Sequence, residues 1–475
     1  MHGRHRPAHQ ARAPHDYPPR SSIRWSLLLL LSVAQLMVIL DISAVNVALP
    51  DLASDLNIPH SDIGWTITSY SLIFGSLLLL GGRAADLLGR RRVLIAALAV
   101  FTLASLFGGL VNDGGLLIAS RFLKGAAAAF TVPAALSTIT TTFTEGPSRT
   151  KALSVFSACG ASGFSFGLVF GGLLTTLGWR WTFLLPVPVA ALLLFAIPRY
   201  IARDRPYLGP QRRYDIPGAL LLTAGMLLLV RTIVEAPDKG WGAPQTVAAF
   251  ILSLGLLAAF VAVERKASQP LVRLGIFRSA PLVRANLGAM CLFGAYVGFQ
   301  FVATLYLQTT LEWSALETAL SFLPGGLLVA FGAPRAGALI NRYGTGRLVV
   351  ASALSFAIGY ALFLRVDATP YVLTMLPTML LIGGGFALGY SALSVQATAG
   401  VADHEQGLAS GLVQTSFQMG GAIVLAAVTA VVGEGTIGDY RTAIAIVLGV
   451  AIMSLLLALT GVARARTDQA LAPAT

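Results

Sequence analysis

The chain has 475 residues, of which 56% are hydrophobic and 11% charged, with a net charge of +12. A water-soluble globule is excluded, because such chains carry about 25% charged residues. Runs of about 20 apolar residues, the span of a bilayer core, recur from end to end and point to a polytopic membrane protein.

Residues 1–24, rich in Arg, Pro and His, read as a disordered basic tail and not as a cleavable leader, because the apolar run behind them is too long for a signal core. Fourteen membrane-spanning helices are then expected, at 25–49, 63–80, 93–110, 116–142, 152–175, 182–200, 216–234, 246–263, 287–309, 315–340, 348–364, 371–395, 408–432 and 443–463. Turn-forming stretches separate them, such as NDGG at 112–115 and EGPS at 145–148. Residues 464–475 read as a second short tail. Cytoplasmic loops collect Lys and Arg. With the amino terminus inside, all but seven of the 33 basic residues fall on that side: Arg121 and Lys124 lie within helix 4, and Arg180, Arg231, Lys239, Arg365 and Arg441 outside. One span more or fewer would invert every later loop and destroy that bias. Both termini are therefore expected in the cytoplasm. The positive charge reads as topology and attraction to anionic lipid, and a nucleic-acid partner is not expected.

The two ends of the chain repeat each other. GRAADLLGRRRVLI (82–95) aligns with GALINRYGTGRLVV (337–350), matching Gly82 with Gly337, Asp86 with Asn341, Gly89 with Gly344 and Arg92 with Arg347. Helices 1–6 and 9–14 thus read as two copies of one six-helix unit, with helices 7 and 8 inserted between them. The expected domains are an amino-terminal bundle (25–200), a linker carrying the inserted pair (201–283) and a carboxy-terminal bundle (284–463). Parallel repeats of this kind are a transporter architecture, with the substrate site between the halves near the midplane.

LDISAVNVALP (40–50), GRAADLLGRRR, SRFLKGAAAA (120–129), GFSFGLVFGG (163–172) and EQGLASGLVQTSFQMGG (405–421) occur in that order. This series resembles the motifs of the fourteen-helix drug:proton antiporters of the major facilitator superfamily, over essentially the whole chain after residue 24. The resemblance implies an all-α integral membrane protein with 14 transmembrane helices and the major-facilitator fold. It also implies proton-coupled export of drugs, antibiotics or related small molecules across a bacterial inner membrane. Two positions depart from the pattern: Leu168 follows Gly167 where the motif has Pro, and Lys124 stands where it has Gln.

Asp41 is a carboxylate inside an apolar span, about eight residues from the outer end of helix 1 and hence ~12 Å deep. Arg121 of helix 4 lies at a similar depth. A buried lone charge costs several kcal/mol, so the two are expected to meet and to carry proton coupling; a structural ion pair is the alternative. Facing inward, Asp41 is expected to release its proton and admit a cationic or polar substrate in its place. In the loop after helix 2, Asp86 sits among Arg83, Arg90, Arg91 and Arg92, placed to face the positive end of a neighbouring helix. The resemblance makes this loop, with Gly82, Asp86, Gly89, Arg90 and Arg91, the latch of the inner gate, and helix 13 its partner. Gly163, Gly167, Gly171 and Gly172 recur on helix 5 at a spacing that lets helices approach closely. Asn46, Tyr296, Gln300, Gln414 and Gln418 are candidates for lining the substrate cavity, with interhelical hydrogen bonds as the alternative.

No enzyme is expected: none of the four lysines follows a Gly, so no phosphate loop or ATPase module is present. His2, His5, His9 and His15 belong to the tail and not to a metal site. The expected partners are a small-molecule substrate, protons and the lipid bilayer, with no cofactor and no metal, and a monomer. A facilitator for one metabolite and a non-transporting membrane sensor are the competing readings.

Overall fold

The computed structural model describes residues 21–58, 65–201, 215–267, 270, 272–313, 315–365, 371–432 and 436–471. Residues 1–20 of the first expected tail and 472–475 of the second fall outside that set, as do the side chains of Asn46 and Leu168.

In the amino-terminal bundle the helices are α1 (Ser21–Asp55), α2 (Trp65–Leu88), α3 (Arg90–Leu110), α4 (Gly114–Thr142) and α5 (Pro147–Thr175). A sixth, α6, starts at Arg180–Leu184 and resumes as Pro186–Tyr200. The break falls where Pro186 and Pro188 offer no backbone N–H. The inserted pair is α7 (Ile216–Lys239) and α8 (Pro244–Lys266). The carboxy-terminal bundle holds α9 (Ala280–Leu305), α10 (Ala315–Tyr343), α11 (Thr345–Phe363), α12 (Tyr371–Thr398), α13 (Gln406–Val432) and α14 (Ile437–Leu471). Among the described residues, thirteen helices are long and apolar enough to cross a membrane. The remaining one, α5, has 29 residues and runs lengthwise beside α1.

The ends differ from the expected spans for a simple reason. Apolar length marks the bilayer crossing, whereas a helix is not obliged to end at the bilayer surface. So α1 continues to Asp55, and α14 carries ARARTDQAL as helix to Leu471, into the stretch expected to be a tail.

Both repeat glycines after the second helix of each half adopt positive φ, 101° at Gly89 and 81° at Gly344. Only glycine takes that turn without strain, which explains why the chain has Gly at both positions. The repeat extends to packing. α1 lies on α5 as α9 lies on α13, and α2 meets α13 as α10 meets α5. Small residues set the closest approaches: a Cβ on Gly125 of α4 would lie 2.5 Å from the Tyr70 carbonyl oxygen of α2.

The two halves meet across α2–α13 and α5–α10. At the opposite end from the Arg-rich loops, the amino-terminal bundle is clasped by Asp55. Its Oδ2 accepts from Arg180 Nη1 at 2.6 Å and Trp179 Nε1 at 2.9 Å, while Arg180 Nη2 donates to Asn112 Oδ1 at 2.6 Å. Arg180, and then Trp179, hold the Asp55 carboxyl below the usual carboxylate range.

The inserted pair is attached at the Arg-rich end. Leu222 and Met226 of α7 pack with Leu79 of α2 and Leu408 and Leu412 of α13, so one inserted helix touches both halves. Arg83 Nη2 donates to the Pro270 carbonyl in the linker behind α8, at 2.9 Å.

Candidate functional site

Asp41, Arg121 and Lys124 have no exposed surface. Arg121 Nη1 donates to Asp41 Oδ2 at 2.9 Å, so the pairing expected from depth alone is present. The Lys124 ammonium takes the other oxygen, Oδ1. Because Arg121 and Lys124 are three residues apart on α4, they share a face and reach the same carboxylate on α1. Arg121 is further held by Nε donating to the Thr66 carbonyl at 2.9 Å and by stacking 4.5 Å from the centroid of Tyr70. Tyr70 in turn donates to the Val38 carbonyl at 3.3 Å, closing a ring back to α1. Lys124 lies 4.8 Å from the Phe183 ring centre and 5.1 Å from Phe101. Arg121 Nη2 is buried with no hydrogen-bond partner.

The chemistry differs from the expectation in one respect. A single Asp–Arg pair is neutral, and a cationic substrate competing with the proton for the carboxylate would fit it. With all three groups ionised, two cations against one carboxylate would leave a buried net charge of +1. A second cation at Asp41 is therefore opposed, and protonating Asp41 strips Arg121 and Lys124 of their shared counter-ion.

The helix that bears Asp41 rests on a track of glycines. Along α5, a Cβ on Gly163 would lie 2.9 Å from Ile39 Cβ, one on Gly167 would lie 2.6 Å from the Leu40 carbonyl oxygen, and one on Gly171 would lie 2.6 Å from that of Ala44. Gly172, beside the track, is half-buried. The backbone around Asp41 is thus in direct contact with α5, with α4 gripping the carboxylate from another side.

At the Arg-rich end, Asp86 Oδ1 accepts from Gly407 N at 3.0 Å and Oδ2 from Leu408 N at 2.9 Å. These are among the first amides of α13, the helix N-terminus where a carboxylate is favoured. Arg90 steadies the same group, with Nη2 3.3 Å from Asp86 Oδ1 and Nε donating to Ser137 Oγ at 2.7 Å. Arg90 Nη2 also donates to the Asp403 carbonyl, tying the loop across the halves a second time. Gly82 lies backbone to backbone against Gly407 and Gly411, leaving no room for a Cβ. A third tie joins Gly400 N to Glu145 Oε1 at 3.0 Å. Gly89 forms the turn, and Arg91 is half-buried beside it. In the other half Gly337 approaches Ser154 and Lys151 of α5, but Asn341 replaces the carboxylate.

The polar side chains expected to line a cavity are mostly engaged. Gln300 donates to the Tyr296 hydroxyl at 3.3 Å, and both border a crevice of about 20 Å³ with Gly325 and Met379, room for about one water. Gln414 accepts from the Tyr390 hydroxyl at 3.3 Å. Gln418 faces Gly75 of α2, with 3.8 Å between its Cβ and a Cβ built there, and so lies where the halves meet. These groups are linked by rings the sequence reading had not singled out. Tyr296 packs tilted against Phe386 at 4.3 Å and Tyr390 stacks on Phe417 at 4.4 Å, with Phe386 and Tyr390 themselves 5.5 Å apart. Phe386 and Tyr390, four apart on α12, share a face, which was the available signal.

Two six-helix halves, joined by charged contacts at one end and enclosing a buried ion triad in one of them, are the architecture of a membrane transporter. The chain belongs to the Major Facilitator Superfamily, whose profile matches residues 31–425. It is 38% identical to the puromycin resistance protein pur8 of Streptomyces alboniger, over 92% of this chain and 90% of that protein. It is 36% identical to the cephamycin export protein CmcT of Amycolatopsis lactamdurans, over 88% and 87%. It is 34% identical to the lincomycin resistance protein of Streptomyces lincolnensis, over 86% and 84%. In fold it is similar to the human organic anion transporter MFSD10, with a TM-score of 0.67 at 17% identity over 93% of this chain and all of that one. The proton:xylose symporter XylE gives a TM-score of 0.65 at 15% identity over 94% and 96%.

Proposed function

We propose that this protein exports antibiotics or related small lipophilic molecules across the bacterial plasma membrane in exchange for protons. The Arg-rich end and both termini face the cytoplasm. The observation that carries the coupling is the fully buried Asp41 between Arg121 and Lys124. Asp41 is the proton carrier, and Arg121 and Lys124 sense its charge. When Asp41 is ionised, it holds α4 to α1. When it takes a proton, that grip weakens and α1 is released to shift along the glycines of α5. The Asp86 latch holds the cytoplasmic gate shut and opens when the bundles rock. Substrate binds between the bundles, with the aromatic cluster around Tyr296 and Tyr390 on the carboxy-terminal side.

Relatives named for puromycin, cephamycin and lincomycin support export as the direction of transport. Proteoliposomes with an imposed pH gradient test the reading. Uncoupler-sensitive accumulation of several unrelated antibiotics is expected from wild type. Gradient-independent equilibration of one metabolite would establish a facilitator instead.

A further inference from the structure

A cavity of about 580 Å³ takes no part in the chemistry above. It lies in the carboxy-terminal bundle at the Arg-rich end, where the start of α9, the α10–α11 turn, the end of α12 and the late turns of α14 converge. Among the described residues, its lining includes Arg284 and Arg347 and no carboxylate. Among the described residues, neither arginine belongs to an ion pair, and Arg284 Nε is buried without a hydrogen-bond partner. The Arg284 guanidinium is backed by Gly461 of α14, where an added Cβ would come within 3.2 Å of Nε. α11 opens into the same space: Gly344 caps it with no side-chain hydrogen bond, and Thr345 and Gly346 line the cavity. Apolar groups, among them Leu393 and Leu457, complete the wall.

Two guanidinium groups beside an uncapped helix start, with no acid among the described lining residues, are the chemistry that receives a phosphate group. The apolar wall suits the glycerol and first methylenes of a lipid. We propose that this cavity binds a phosphate ester, and that its occupant is the headgroup of an anionic phospholipid of the cytoplasmic leaflet.

The test uses the full-length protein, stripped of lipid in neutral detergent. Native mass spectrometry reads retention of phosphatidylglycerol and phosphatidylcholine, and thermal melting reads the effect of inorganic phosphate at constant ionic strength. Wild type is expected to retain phosphatidylglycerol over phosphatidylcholine. R284Q and R347Q should each weaken phosphatidylglycerol retention about fivefold, while R265Q at the end of α8 leaves it unchanged. Arg347 is exposed, so R347Q reads the site even where R284Q does not fold. Stabilisation of wild type by inorganic phosphate, lost in R347Q and without lipid selectivity, would keep the phosphate site and assign it a soluble ligand. Equal behaviour of wild type and R347Q towards both probes would overturn the proposal. No arm measures transport, so this result stands apart from the export reading.

Discussion

Asp86 Oδ2 accepts the backbone N–H of Leu408 at 2.9 Å, joining two residues 322 positions apart and the two halves of the molecule. The side chain is only 1% exposed and caps the start of α13, while Arg90 holds it from its own side. Asp86→Asn keeps the shape and removes the charge. It should cut transport more than about tenfold, the equivalent of one lost charge-assisted hydrogen bond, while substrate binding to solubilised protein changes little. Parallel loss of binding and transport would mean that Asp86 does not act as a gate.

Asp41→Asn should abolish uphill transport and leave downhill exchange. Because it strands Arg121 and Lys124, it should also destabilise the protein by about 3–5 kcal/mol, the usual cost of breaking a buried pair. Adding Lys124→Gln to that variant removes one stranded cation. It should recover melting temperature without recovering coupling, and Asp41→Glu alone should keep part of the activity. An Asn variant that still concentrates substrate would make Asp41 structural.

Lys124→Gln alone leaves Asp41 paired with Arg121 and brings the buried site to zero net charge. Coupling should survive. Competition assays with cationic and anionic compounds should show a shift towards cations, and an unchanged preference would mean that Lys124 does not bear on selectivity.

Gly167→Ala places a methyl 2.6 Å from the Leu40 carbonyl oxygen, one residue from Asp41. Overpacking of this kind costs about 1–3 kcal/mol. Transport should fall more than stability does, since the contact belongs to the joint proposed to move. Gly255→Ala on α8, with nothing within 4 Å of its Cβ, is the control and should be neutral or slightly stabilising.

The Asp55 clasp predicts a pH dependence. Its carboxyl is held below the usual range, so the stability it adds is present above the unfolded value of about 3.8 and is lost as pH falls through the folded one. The melting temperature of Asp55→Asn should lie slightly below wild type at neutral pH and converge with it in strong acid. A gap that persists in acid would show that the clasp works by shape alone.

The sequence carried Asp41 and Arg121 because depth along two opposed helices is simple arithmetic. Lys124 was visible as an unusual residue, and its three-residue spacing from Arg121 placed it on the same face. That both cations would share one carboxylate depends on how α4 is rotated, which periodicity does not specify. Asp86 was legible as a helix-end carboxylate among arginines, but its partner amides are set by how the halves dock. Gln414 and Gln300 are hydrogen-bonded to Tyr390 and Tyr296, contacts set by helix rotation that the linear pattern does not record. Helices 7 and 8 read as an appendage because each repeat is complete without them. Their sideways position, with α7 against both α2 and α13, is a property of the membrane plane that a linear pattern does not record.

The latch also has a size. Hydrogen bonds to a charged group contribute about 1.5–3 kcal/mol each. Two of them at Asp86 amount to ~3–6 kcal/mol, and Asn341 supplies no matching charge in the other half. Inverting a two-state population from 99:1 to 1:99 takes about 5.5 kcal/mol. Under the proposed gating role, these two bonds supply a bias of the size needed to hold this end closed, and one that a single proton-driven event can reverse.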